Sequence, residues 1–538
     1  MAVATSFYAK IIEQIFEYQV DLRQKNMSRE SSESFVTEIP LRVTQKQEAT
    51  ILVRFGFARQ LYNACLGESL CRLNLMRQSK AYQSARYIPK DEEHKKERGE
   101  VFGKARTQYA FSEYALHAYA KKVGEKLGWM GSSVQQTVAS RAFGTVSRYA
   151  FGKGGKPRFK NVGQFDSVEG KQNTVISWNG DAVVWGGLVL PAIFPKEGRK
   201  GNDVIQHGLN AKLKYVRLVR RKLNGRNRFY VQLVCEGLPF QKPKTKIGIG
   251  TVGVDLGPST IAIVAPASGQ AELQQFCREL DFEQKKIWKL QRKQDRQRRV
   301  GNPQNYNEDK TVRKGAKTWN KSGKQLETET KLAEMCRKQA EYRKSLHGQL
   351  VNHIFSMGND VKLEKLSYVA FQKMFGKSVG ARAPGMFVSL LKRKAVSAGV
   401  LVTEFSTRTT LLSQVCICGE VKKKPLSQRW HTCDCGAVAQ RDLFSAFLAL
   451  CVEGNKLNAD LAKEKWQSGM DACLRAALSN LQPAIGRSFP ASFGLKRSQS
   501  GSPVNFCENK TGKSRNVVAS ASKGESSEKP VLNRTPRL

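Results

Sequence analysis

Acidic residues are scarce in this sequence: 46 Asp and Glu stand against 90 Lys and Arg, a formal net charge of +44 over 538 residues. Such an imbalance speaks about partners and not about fold. It excludes an acid-rich solvating chain and points to a polyanion, nucleic acid first and an anionic membrane surface second. Long apolar runs are lacking too. Nothing approaches the roughly 18 consecutive apolar residues that read as a membrane span. The opening stretch is broken by Lys10, Glu13, Glu17, Asp21, Arg23 and Lys25, unlike a secretory signal. The expected setting is therefore cytoplasmic and nucleoid-associated, with no membrane partner. No internal period of roughly 20–50 residues is visible, which excludes repeat arrays.

Evenly spread cysteine is also missing. Of 12 cysteines, four fall together at 416, 418, 433 and 435, and the others are scattered. A secreted disulfide scaffold would spread them through a short chain, so a reduced compartment with one metal site fits better. Cys416-Ile417-Cys418-Gly419 and Cys433-Asp434-Cys435-Gly436 form two matching halves. Paired thiolates followed by glycine suggest a tetrahedral zinc ribbon. His431 is an alternative for one sulfur. Lys422, Lys423, Lys424 and Arg429 lie between the halves and suit contact with nucleic acid.

The length suits two to four domains. Residues 1–34 read as an extension, with Met27 an alternative start. Across 46–151, Leu52, Phe55, Ala58 and Leu61 recur at helical spacing, as do Val134, Val138, Ala142 and Val146. That pattern fits a bundle with solvated polar faces, and equally a helical lobe gripping a phosphate backbone. The punctuation Gly152 to Lys160 opens a β-rich stretch. Asn179-Gly180 and Asn224-Gly225 mark hairpin turns. Arg217, Arg220, Arg221, Arg226 and Arg228 decorate the second hairpin, which suggests a small β-barrel with a basic rim. From Lys285 to Arg299 there are eight Lys or Arg. Like charges this dense repel unless a phosphate backbone supplies the counter-charge. Residues 486–538 read as a disordered basic tail.

Three carboxylates stand out. Val252, Val254 and Leu256 alternate with Gly253 and Asp255, so Asp255 lies on the strand face opposite the large apolar residues. Val361 and Leu363 alternate with Lys362 and Glu364 in the same way. Asp442 opens a helical stripe of Leu443, Ala446, Phe447 and Leu450. Singly, each reads as a turn, strand-end or cap residue. Together they suit phosphodiester hydrolysis, in which carboxylates hold two divalent ions.

The order Gly253-Val254-Asp255-Leu256-Gly257, Leu363-Glu364-Lys365-Leu366, a cysteine-pair ribbon and Arg441-Asp442 resembles the transposon-encoded TnpB nucleases and their relatives, the type V CRISPR effectors. The resemblance spans about residues 35–460. Gly155-Lys156-Pro157-Arg158-Phe159-Lys160 is similar to the family's entry into its barrel, and Ser413-Gln414 also matches. The resemblance implies a multidomain α/β, α and β protein. An RNase H-like RuvC domain would occupy 246–411 and 439–485, with a basic helical insertion at 281–350 and a zinc ribbon at 412–438. A wedge-like β-barrel would occupy 35–45 and 152–245, with a helical recognition lobe at 46–151 inserted in it.

The same resemblance implies Asp255, Glu364 and Asp442 as catalytic acids on magnesium or manganese, and Cys416, Cys418, Cys433 and Cys435 as zinc ligands. Guide RNA and double-stranded DNA are the implied partners, with a monomer favoured. Arg158, Lys160, Arg217, Arg220, Arg221, Lys285, Lys286, Lys289, Arg292, Lys293 and Arg296 are the residues expected on nucleic acid. The implied activity is RNA-guided DNA cleavage beside a short flanking motif. The sequence departs from the family at Gln440 and Phe444, where a supporting Asp and Asn often stand. That departure motivates an alternative, guided binding with weak or no cleavage. A compact type V effector is another alternative, and a strand transferase ranks below both.

Overall fold

The structure, a computed structural model, describes residues 33–495 apart from 128–130, 172–173, 200, 244, 426 and 482–488. The expected extension, but for its last two residues, and the alternative start at Met27 lie outside the described residues. So does most of the expected tail.

A helical layer comes first. Helix Gln45–Gln78 starts at Thr44, whose hydroxyl accepts from the Gln47 N–H at 3.3 Å while the Gln47 side chain accepts from the Thr44 N–H at 3.0 Å. This reciprocal cap satisfies two of the free donors at the helix start. Ile51, Phe55, Ala58, Leu61 and Leu73 are buried along one stripe, against Val134, Val138, Ala142 and Val146 of helix Ser132–Ala150.

Strands β1 (Ser34–Pro40), β2 (Ser167–Lys171), β6 (Leu213–Leu223) and β7 (Arg226–Glu236) form an antiparallel sheet in the order β1-β7-β6-β2. Strands β3 (Ile176–Trp178), β4 (Ala182–Trp185) and β5 (Leu188–Pro191) form a second sheet. Asn224 and Gly225 both take positive φ, +49° and +77°, and close the β6–β7 hairpin. The expected barrel differs from what is found. Among the described residues the two sheets do not close into a ring: β3 lies against β2 and β6 without pairing, and one isolated bridge joins Leu41 to Ala192. The ends that meet there are Pro40 and Pro191, whose carbonyls accept from Ile193 and Arg42 at 2.8 Å each. Neither proline has an N–H to return, so the ladder stops.

The third sheet positions the candidate site. Strands β8 (Thr251–Leu256), β9 (Thr260–Ala265), β10 (Gln270–Gln275), β11 (Asp360–Lys365) and β12 (Leu401–Ser406) lie in the order β10-β9-β8-β11-β12. The first three run antiparallel, and β8, β11 and β12 run parallel. One face packs Val252, Val254, Val361 and Leu363 against helices Gly323–Met357 and Pro384–Ala398. The other face is covered by helix Arg441–Leu450. Parallel strands need cover on both faces, and this sheet has it.

The basic segment after β10 is a pair of helices, Leu280–Val300 and Gly323–Met357, joined by an ordered loop. Asn302 and Asn305 are buried in that loop and bond to the carbonyls of Asn320 and Thr318. The tail expected from 486 also differs. Phe493 is buried in the core beside helix Arg441–Leu450, and the Trp430 Nε1–H donates to the Gly494 carbonyl at 3.1 Å. The buried ring and this hydrogen bond hold the short segment against the core.

Candidate active site

The geometry of the site follows from register. In the parallel pairing of β8 with β11, Leu363 lies opposite Val254. The next residues along, Asp255 and Glu364, therefore lie side by side at the ends of neighbouring strands and share the face that Gly253 and Lys362 also occupy. Asp442 reaches the same face from above, as the second residue of helix Arg441–Leu450.

Gly253 sets how close that helix comes. A Cβ at 253 would lie 2.0 Å from the Ala446 carbonyl oxygen. Only glycine admits this approach of helix backbone to strand. The helix is capped at its start and tied to the sheet at its far end. At its start the buried Gln440 side chain accepts from the Leu443 N–H at 2.8 Å. At its far end Lys362 Nζ donates to the carbonyls of Leu450 and Val452 at 3.1 and 2.9 Å. A cation there favours the negative end of the helix.

Asp255 feels the other two carboxylates. Burial raises the pKa of Asp255 well above the usual carboxylate range, and Asp442 and then Glu364 raise it further, with Arg441 opposing. Burial also raises Glu364, partly offset by hydrogen bonds from the Leu412 N–H and the Thr410 hydroxyl. Asp442, 9% exposed, is raised by burial too, with Arg429 the largest opposing influence. The Thr260 hydroxyl donates to Asp442 Oδ2 at 3.5 Å, a long bond. Clustered, desolvated carboxylates suit a divalent cation, which would relieve their mutual repulsion. Thr260 and the supporting arginines were not singled out from sequence for this site. The available signal was Thr260 itself, a lone hydroxyl at the head of the otherwise apolar strand β9.

The four cysteines form a tighter group. Their sulfurs all lie within 4.8 Å of one another, with Cys416–Cys435 at 3.5 Å and Cys418–Cys433 at 3.6 Å. Four thiolates about 2.3 Å from one zinc would stand about 3.8 Å apart, so the donor set fits that ion. Gly419 and Gly436 take φ of +87° and +88° and return their N–H groups to the carbonyls of Cys416 and Cys433 at 3.0 Å each. His431 is not part of the group. Its Nδ1 bonds Lys424 Nζ, and its ring stacks on Phe444 with centroids 4.2 Å apart. The carboxylates at the sheet end do not gather this closely. Among the described residues, the cysteines are the group whose ligand atoms converge on one point.

The basic residues divide into two sets. Arg217 bonds Glu169 at 2.7 Å, Arg220 pairs with Asp166, and Arg221 with Glu38. These three are tied into the sheet by carboxylates distant in sequence. The other set faces solvent: Arg158 and Lys160 in the loop before β2, and Lys285, Lys286, Lys289, Arg292, Lys293 and Arg296 on helix Leu280–Val300. Of these, Lys286 pairs with Glu283 at 3.1 Å.

No helix among the described residues is long and apolar enough to cross a membrane. No protein-family model and no curated protein matches the chain. Among solved structures, the chain is similar to the protein of the Cas12f1–sgRNA–target DNA complex, at 11% identity and a TM-score of 0.39, over 77% of this chain and 98% of that one. It is also similar to the protein of a CRISPR–Cas12f ternary complex, at 10% identity and a TM-score of 0.23, over 78% and 86%. Overlaps this loose add no weight to the residues above.

Proposed function

We propose that the chain is an RNA-guided DNA endonuclease of the TnpB type, with the five-stranded sheet as its RuvC-like nuclease core. The observation that carries this is the meeting of Asp255, Glu364 and Asp442 at one end of one sheet, from segments 109 and 78 residues apart in sequence. Those three acids would hold magnesium or manganese. Such ions, when bound, supply activation of water and stabilisation of the leaving oxygen. The chain's own residues do the rest. Gly253 admits the helix that presents Asp442, Gln440 caps its start, Lys362 ties its far end to the sheet, and Arg441 and Arg429 offset the carboxylate charge. Cys416, Cys418, Cys433 and Cys435 would hold zinc and order the segment that leads into that helix. The exposed cations of helix Leu280–Val300 suit the phosphates of a guide RNA and its DNA target.

The test is cleavage of a guided duplex target with magnesium or manganese. Asp255→Ala should abolish cutting and leave RNA binding intact. Cutting retained by that variant refutes the assignment.

A second reading, guided binding with slow or no cutting, is favoured by one observation. Gln440 is a buried helix cap and Phe444 a core residue 1% exposed. Neither adds a ligand where the resembling family often has one. An uncut target library beside tight guided binding would select this reading.

A further inference from the structure

The loop at 152–160 runs from helix Ser132–Ala150 toward β2 and has no regular structure, yet its end is pinned. Asn63 Nδ2 donates to the Lys160 carbonyl at 2.9 Å, and Asn63 Oδ1 accepts the Lys160 N–H at 2.8 Å. Arg59 Nη1 donates to the same carbonyl at 3.3 Å. Phe159, next to this clamp, is 57% exposed. One edge of its ring rests over helix Gln45–Gln78 at Gly67, where an added Cβ would lie 3.7 Å from Cε1 and Cζ. A large ring left in water gives up apolar burial, and an exposed ring beside polar groups marks a contact surface.

The surroundings say what kind of contact. Lys153, Lys156, Arg158 and Lys160 are exposed and have no carboxylate partner among the described residues, and the same holds for Arg148. A groove of about 680 Å³ beside the clamp is lined by Tyr62, Arg148, Lys160 and Gln164 among others. The rim arginines Arg217, Arg220 and Arg221 are already paired, whereas these cations are free to meet phosphate. Aromatic faces beside a cationic groove bind unpaired bases with little regard to sequence.

We propose that Phe159 is a stacking platform for one unpaired base of a nucleic-acid strand whose phosphates lie along Arg148, Arg158 and Lys160. This rests on the reading of the chain as a nucleic-acid binder, but not on the acid site. The strand enters along the groove, and the clamp by Asn63 keeps the ring ready before it arrives.

The experiment uses the full chain in an Asp255→Ala background, so that cleavage does not intervene. Single-stranded RNA, single-stranded DNA and a duplex with one extruded base each carry 2-aminopurine, and both affinity and its fluorescence are read. Stacking should quench the probe. Phe159→Ala should remove the quench and weaken binding about 5- to 150-fold, and Phe159→Tyr should keep both. Arg148→Gln should weaken all strands alike and lower the salt slope by about one. Unchanged quench and affinity in Phe159→Ala overturn the platform. If the platform behaves as expected while the parent chain cuts no target, only the nuclease reading falls. If the parent chain cuts and Phe159→Ala is indifferent, only the platform falls. Binding to none of the oligonucleotides overturns both.

Discussion

Substituting Gly253 with Ala adds one methyl group at the tightest approach near the candidate site. That Cβ would sit 2.0 Å from the Ala446 carbonyl oxygen. Carbon and carbonyl oxygen need about 3.3 Å even in a close contact, so strand and helix must separate by about 1.3 Å. Neither partner is the flexible end of a side chain, and Lys362 ties the far end of the helix to the sheet. Overpacking of this kind costs about 1–3 kcal/mol of stability. The larger effect falls on geometry. Asp442 rides on the helix that must move while Asp255 stays on the strand. A misplacement of about 1 Å at reacting groups costs about 100-fold in rate. Gly253→Ala should therefore fold, melt at a lower temperature and lose about 100-fold or more in divalent-dependent cleavage. Gly99→Ala is the control, because nothing lies within 4 Å of a Cβ added there. It should melt no lower and cut normally. A Gly253→Ala chain that cuts at the parent rate would show that the approach of the two backbones does not set the spacing of the acids.

Cys416→Ser should lower zinc content from about one ion per chain, measured by elemental analysis, whereas His431→Ala should leave it unchanged. Loss of zinc in the His431 variant would return that ring to the ligand set. Manganese affinity, measured by titration calorimetry, should go on rising with pH above the usual carboxylate range. Burial and the neighbouring Asp442 and Glu364 favour the protonated form of Asp255, and a cation bound there competes with that proton. A flat profile would argue that the three acids do not bind the ion together. His347 stacks on Phe276 with Nε2 2.9 Å from the Arg382 carbonyl, and burial lowers its pKa from 6.5 to about 4. Between those values the unfolded chain holds the extra proton, so the contribution of His347 is complete above pH 6.5 and is lost as the pH falls to 4. The loss is up to about 3 kcal/mol in denaturant titrations, and His347→Gln should flatten that part of the curve.

Local pattern carried far in this chain, and distant pairing did not. The alternation around Val252, Val254 and Leu256 is enough to read a strand with Asp255 on its other face, because side-chain direction depends only on neighbours. What covers that other face is helix Arg441–Leu450, nearly two hundred residues on, and only Gly253 hinted at so close an approach. The dipeptide Asn-Gly shows the same limit. Asn224-Gly225 makes a two-residue turn with both φ positive, whereas Asn179 keeps negative φ and its side chain accepts from Ala182 N–H at 2.7 Å. Charge misled most. Of the five arginines read as a basic rim, Arg217, Arg220 and Arg221 are paired with acids 48, 54 and 183 residues away respectively. Counting charge along the chain cannot see such pairing. The barrel failed for a related reason, since the two prolines that stop the ladder come from strands far apart in sequence.

The order in which the sheet acquires its last helix bears on synthesis. β8 and β9 leave the ribosome long before helix Arg441–Leu450 exists, and about 10–40 seconds of translation separate Asp255 from Asp442 at ordinary rates. During that interval Gly253 faces an empty place, and the incipient molecule has only part of its acidic cluster. A transcript broken before codon 442 yields a polypeptide still rich in cations but lacking Asp442 and the helix that covers one face of the five-stranded sheet.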